Sequence, residues 1–183
     1  MKRRGSLVVL TAFALLVALG FALPENAQIP VAGATPKDWN HQSFWYEPWG
    51  PSGVHKGIDV FAPRGRNVVS AVPGVVIFQG SRGRGGNVVA VLGPKWRVHY
   101  YAHLADGEEP SPRFLARGEK LGLVGTTGNA AGKPPHLHYA VVSLIPLPWR
   151  YNGSAPQGWK QMFFLDPGAL LLGGAPDPSA KKR

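Results

Sequence analysis

The chain contains no cysteine. That excludes a disulfide framework and any thiolate metal site, so a transition metal in this protein has only histidine and carboxylate to hold it. Acidic residues are scarce as well, ten against 20 Lys and Arg, for a formal net charge of +10. Lys2, Arg3 and Arg4 supply three of these charges, which leaves +7 on the rest. Such a body attracts anionic partners, whether nucleic acid, acidic lipid or an anionic cell wall, and charge by itself does not choose among them. No low-complexity tract gathers the 24 glycines and 18 prolines; they lie between short Val- and Tyr-containing segments. This pattern favours a turn-rich, mainly β protein, and 183 residues suit one globular domain.

Long hydrophobic runs are confined to one place. The apolar and small residues from Leu7 to Leu23 follow a basic start, the form of a secretory signal or an uncleaved N-terminal membrane anchor over residues 1–23. The run is slightly short for a span of about 20 residues, and no small-x-small cleavage site follows it directly; the balance falls on an anchor. Export conflicts with a nucleic-acid partner, which is not expected. Residues 24–48 read as a Pro- and Ala-rich linker leading into an arm dense in aromatics (Trp39, Phe44, Trp45, Tyr46), residues 49–172 as the domain and 173–183 as a basic tail. The aromatics either grip sugar or peptide, or pack the arm onto the domain.

The chemistry-bearing residues are spread along the domain. His136 and His138 stand two apart before Ala140, Val141 and Val142; in an extended strand both project to one face, with Leu137 and Tyr139 on the other, and two imidazoles at one point suggest a metal. His55 and Asp59, four apart, flank Gly57 in a turn leading into a strand, a commonplace pair on its own. The segment from Trp96 to Leu104 puts Arg97, His99, Tyr101 and His103 on one face of a regular strand. The loop from Ser81 to Gly86 is Gly-rich and basic but lacks the Lys-Ser/Thr ending of a phosphate loop, so it reads as a hairpin loop able to touch an anionic substrate. Finally, Ala116, Arg117 and Gly118 before an apolar strand echo Pro63, Arg64 and Gly65 before another, as in an internal duplication.

Taken together, His-x-x-x-Asp at His55 and Asp59, Tyr-x-His at Tyr101 and His103, and Pro-His-x-His ending at His138 closely resemble the motifs of the lysostaphin/LytM-type zinc endopeptidases that cut bacterial cell-wall peptides. The supporting residues also match, Ala62-Pro63-x-Gly65 after the first motif and Gly125-x-Thr127-Gly128-Asn129-Ala130 before the last, over roughly residues 50–170. The resemblance implies an antiparallel β-sheet domain with an active-site groove over the sheet. It implies one zinc ion held by His55, Asp59 and His138, with His103 and His136 as two non-ligand histidines that work on the attacking water. It further implies an enzyme acting on peptidoglycan stem or cross-bridge peptides; with the N-terminal export segment the location is expected to be extracytoplasmic, in the cell envelope, and the protein is expected to be monomeric. The alternative is a non-catalytic envelope module that binds the wall or activates another hydrolase, although no ligand position is lost here. One departure is Ala140, where the family commonly has Glu. In some relatives an upstream segment fills the open zinc position, a role that would fall here to Asn40 or His41; otherwise the arm simply packs.

Overall fold

Alternating burial organises the sheet. Along the strand β8, His136–Ser143, the odd-numbered Leu137, Tyr139 and Val141 are fully buried in the core. His136 and His138 project to the other face, as the period-two geometry of a strand dictates. The computed structural model describes residues 2–107 and 109–173. The expected basic tail lies, from residue 174 on, outside the described residues, as does the very start of the N-terminal run.

β8 is the pivot of a seven-stranded, antiparallel sheet. Its neighbours are β1, Ile58–Phe61, on one side and β5, Arg97–Leu104, on the other. The sheet continues through β4, Asn87–Gly93, and β3, Gly74–Ser81, to the two-residue β6, Phe114–Leu115. A short strand β9, Phe164–Leu165, pairs with the far half of β8, beyond the reach of β1. The chain ends its described course in α2, Pro167–Leu171, started by Asp166, whose carboxylate accepts from the Gly168 and Ala169 N–H groups.

The apparent duplication resolves into pairing. The two echoed segments are β2, Asn67–Val69, and β7, Lys120–Leu123, and they form a separate two-stranded sheet with each other. The turn glycines that precede them, Gly65 (φ +83°) and Gly118 (φ +87°), both take the left-handed conformation that glycine adopts without a Cβ clash. Each donates its N–H across to the other segment, to Val124 O and Ser70 O, both at 2.8 Å. The core lies between the two sheets: Ile58, Val60, Val89, Val91, Tyr101, Leu137 and Tyr139 from the large one meet Val68 and Leu121 from the small one. Each fully buried aliphatic side chain contributes about 1.5–3 kcal/mol.

The segment read as a linker is bound along the body. Val31 bridges to Val68, and Gln28 and Ala32 donate to the carbonyls of Ala71 and Asn67. Val31 and Trp39 are core residues, so the aromatics of the arm in part pack it down. Before it, α1, Lys2–Ala22, carries Val8, Leu10, Phe13, Leu15 and Leu19 more than half exposed to solvent. It touches the body where Trp96 Nε1 donates to Val17 O at 3.0 Å and the indole lies over Gly20. Among the described residues no helix is long and apolar enough to cross a membrane.

Candidate active site

Register places the site residues. Asp59 on β1 lies directly opposite His138 on β8, and Phe61 opposite His136, so all four share one face. On the other side of β8, Ala102 faces His138 and Tyr100 faces Ala140. This is the face away from the core. It forms the floor of an open groove of about 460 Å³ that also collects His55 and His103.

His103 reaches that groove only because β5 is irregular. By alternation it belongs with His99 and Tyr101 on the core side, where a regular strand would put it. Opposite Val88, β5 carries two residues, Ala102 and His103, and the register shifts there. His103 itself has φ +63°. This bulge turns the imidazole to the groove face, while Arg97 and His99 stay behind the sheet. There His99 Nδ1 meets the Tyr139 hydroxyl at 2.7 Å, and Glu25 pairs with both Arg97 and His99. His99 is thus engaged behind the sheet through Nδ1, and burial, partly opposed by Glu25, holds its pKa below the usual histidine value.

Three donor atoms converge in the groove. His55 Nε2 lies 3.1 Å from Asp59 Oδ1 and 3.1 Å from His138 Nδ1, and His138 Nδ1 lies 2.8 Å from Asp59 Oδ1. His55 Nδ1 donates to the Ser43 carbonyl at 3.0 Å, which fixes the tautomer and leaves a lone pair on Nε2. With both imidazoles neutral, that lone pair faces the lone pairs of Asp59 with no proton between them. A cation among the three atoms removes this repulsion, and two imidazoles with one carboxylate suit zinc; among the described residues this is the cluster able to hold a metal ion. Burial raises the Asp59 pKa, but the two adjacent imidazoles, His138 ahead of His55, outweigh it and hold the carboxyl well below the carboxylate range.

The remaining two histidines are oriented by backbone carbonyls. His136 Nδ1 donates to Pro134 O at 2.8 Å and His103 Nδ1 to Thr127 O at 2.9 Å. Each is thereby left with a free Nε2, and the rings stand edge to face with centroids 5.1 Å apart. Burial, then the charges of His138 and His136, lowers the His103 pKa to about 4, against the Thr127 bond and Asp59, which raise it. It is therefore a neutral proton acceptor at pH 7.

All five residues expected at the site meet in this groove, and none is left elsewhere. Sequence reasoning missed their supports. Trp49 stacks on His55 at 4.0 Å and 21°; its only signal was the density of aromatics in the arm. Ser43 and Thr127 act through main-chain carbonyls, which no side-chain pattern announces. Gly57 is required by contact, since a Cβ there would meet the His138 ring at 2.9 Å and press on the Tyr139 carbonyl. Neither Asn40 nor His41 joins the cluster: Asn40 Oδ1 accepts from Gln42 N–H at 2.9 Å, and the His41 ring packs on Trp39.

Comparison with known proteins identifies the family of the domain that carries this groove. Peptidase family M23 matches residues 53–148, and the chain belongs to that family. It is 38% identical over 86 residues to the DD-carboxypeptidase/endopeptidase Mpg of Neisseria meningitidis, covering 47% of this chain and 19% of that protein. It is 35% identical over 114 residues to the L-Ala–D-Glu endopeptidase of Bacillus subtilis, covering 57% and 35% respectively. The chain thus spans well under half the length of these relatives. The fold is that of the lysostaphin catalytic domain from Staphylococcus simulans, with a TM-score of 0.57 at 21% identity, over 75% of this chain and 95% of that one.

Proposed function

We propose that the protein is a zinc-dependent endopeptidase that hydrolyses peptide bonds in peptidoglycan stem or cross-bridge peptides outside the cytoplasmic membrane. The observation that supports it most is the meeting of His55 Nε2, Asp59 Oδ1 and His138 Nδ1 beside two carbonyl-oriented histidines in one open groove. His55, Asp59 and His138 would hold one zinc ion. Bound there, zinc supplies Lewis acidity, which favours ionised water near neutral pH and polarises a scissile carbonyl. The chain's own residues move the protons. With Nδ1 held by a main-chain carbonyl, His103 and His136 each keep Nε2 for the groove, and the one that takes the proton of the attacking water becomes an imidazolium. It then stabilises the developing oxyanion or protonates the leaving amine. The site is built from one chain, so a monomer suffices. The exposed apolar α1, behind a basic start, would hold the enzyme at the membrane surface, facing an anionic envelope.

The test is release of new amino groups from purified peptidoglycan by the full chain, with and without chelator. Asp59→Ala is expected to lose both metal and activity. His136→Ala is expected to keep metal in a chelator competition and lose about 10²–10⁴-fold in turnover. Full activity in either variant refutes that residue's role, and a wild-type chain that binds wall without cutting it is the non-catalytic module instead.

A further inference from the structure

Lys56, Arg84 and Lys133 line the same groove as the histidines, where the one carboxylate, Asp59, is already engaged by His55 and His138. Among the described residues, none of the three cations has a carboxylate within salt-bridge reach. Lys56 Nζ donates to the carbonyls of Ser52 (2.9 Å) and Val54 (3.4 Å), and Arg84 Nη1 to Ser52 Oγ (3.2 Å). Arg84 and Lys133 also line an adjoining pocket of about 430 Å³, together with Asn129 and Trp49. Uncompensated like charges around a concavity with low-dielectric walls repel one another and focus a positive potential into it. An anion entering there relieves that repulsion.

The cationic end is tied to the catalytic end. The turn at Gly83–Gly85, which carries Arg84, interlocks with the turn at Gly128–Ala130, which carries Asn129: a Cβ on Gly128 would strike the Arg84 carbonyl, and one on Gly86 would strike Thr127. Thr127 Oγ1 accepts from Asn87 N–H (2.9 Å) and donates to Leu104 O (2.8 Å), while its carbonyl accepts from His103. Arg84 is therefore held at a fixed offset from the proton-transfer histidine, by main chain rather than by long side chains.

We propose that this end of the groove is a carboxylate subsite, in which Arg84 and Lys133, with the Asn129 amide, grip a free carboxylate of the peptide substrate and set which bond lies over His103 and His136. The proposal rests on the peptidase reading and narrows it: preferred substrates are acidic peptides, and a peptide without acidic groups is a poor one. A guanidinium gives a carboxylate two parallel hydrogen bonds, which fixes orientation as well as affinity.

The probes are a fluorescent stem-type peptide with free Glu and C-terminal carboxylates, and the same peptide synthesised as amides. Binding to the full chain is read by anisotropy, and cleavage by amine release. The free-carboxylate peptide is expected to bind about tenfold or more tightly than its amide twin, as one or two charge-assisted hydrogen bonds imply. In the Arg84→Gln/Lys133→Gln double variant the preference collapses, with the loss in KM rather than kcat. An Arg64→Gln/Arg66→Gln control removes the same charge outside the groove and keeps the preference. Equal binding of the two peptides by the wild type, an undiminished preference in the groove variant, or an equal loss in the control overturns the subsite. If the preference is present but neither peptide is cut, the peptidase reading fails while the subsite stands; if both are cut equally well, the reverse holds.

Discussion

At the scale of single residues, the site depends on atoms that its motifs do not contain. Gly57 shows this most directly. Its missing Cβ lets the His138 ring lie against β1 where it can meet Asp59 Oδ1 at 2.8 Å. Gly57→Ala adds one methyl group against a backbone carbonyl that cannot swing aside, so β1 and β8 must separate locally. The expected outcome is a zinc affinity lowered by about 10–100-fold, the range found when supports of a metal ligand are lost, with far-ultraviolet circular dichroism unchanged; chelator competition measures it. Wild-type affinity would mean that the strands give way freely. The same scale explains what was legible: His55, Asp59, His103, His136 and His138 could be picked from the chain because their side chains are the reagents, whereas Ser43 and Thr127 contribute only carbonyls, and a carbonyl is common to every residue type.

At the scale of elements, the arm before β1 belongs to the site's support. Ser43 fixes the His55 tautomer, Trp49 stacks on its ring, and Trp45 and Tyr46 exchange main-chain hydrogen bonds with it. Removing residues 24–48 takes Val31 and Trp39 from the core, a cost of several kcal/mol by comparison with truncation of buried Val and Trp. The shortened chain is expected to melt at lower temperature and bind zinc more weakly, with no gain in activity. A rise in activity would restore a latch role for Asn40 or His41. Composition suggested a loose linker here because Pro, Ala and Gly carry no periodicity. What holds the segment is backbone pairing to the small sheet, which needs no side-chain pattern at all. The strands β4, β5 and β8 were legible for the opposite reason, since short Val- and Tyr-containing runs bounded by turn residues write themselves into the sequence.

Over the whole molecule, two buried histidines on opposite faces of the sheet make stability depend on acidity in one direction. Burial lowers the pKa of His99 behind the sheet and of His103, to about 4, in the groove, both from 6.5. Protons therefore bind the unfolded chain first: the stabilisation is complete above about pH 6.5 and drains as pH falls toward the folded values. Thermal melts of the chelated chain are expected to show the melting temperature falling from pH 7 to pH 4, and His99→Gln is expected to flatten part of that slope. A melting temperature independent of pH across this window would refute it. The global arrangement was only partly readable in advance. The antiparallel β class and the grouping of five distant residues followed from motifs, but that the two echoed segments pair with each other, closing the core from the far side, depends on turn geometry at Gly65 and Gly118. The kink at His103 carries a lesson of its own. A strand is a two-beat rhythm, and here one beat is skipped, so that residues before the skip and the histidine after it answer to different sides. Copying Tyr-x-His into a straight strand of another protein would therefore bury the imidazole among aliphatics; what must be transplanted is the syncopation, not the two letters.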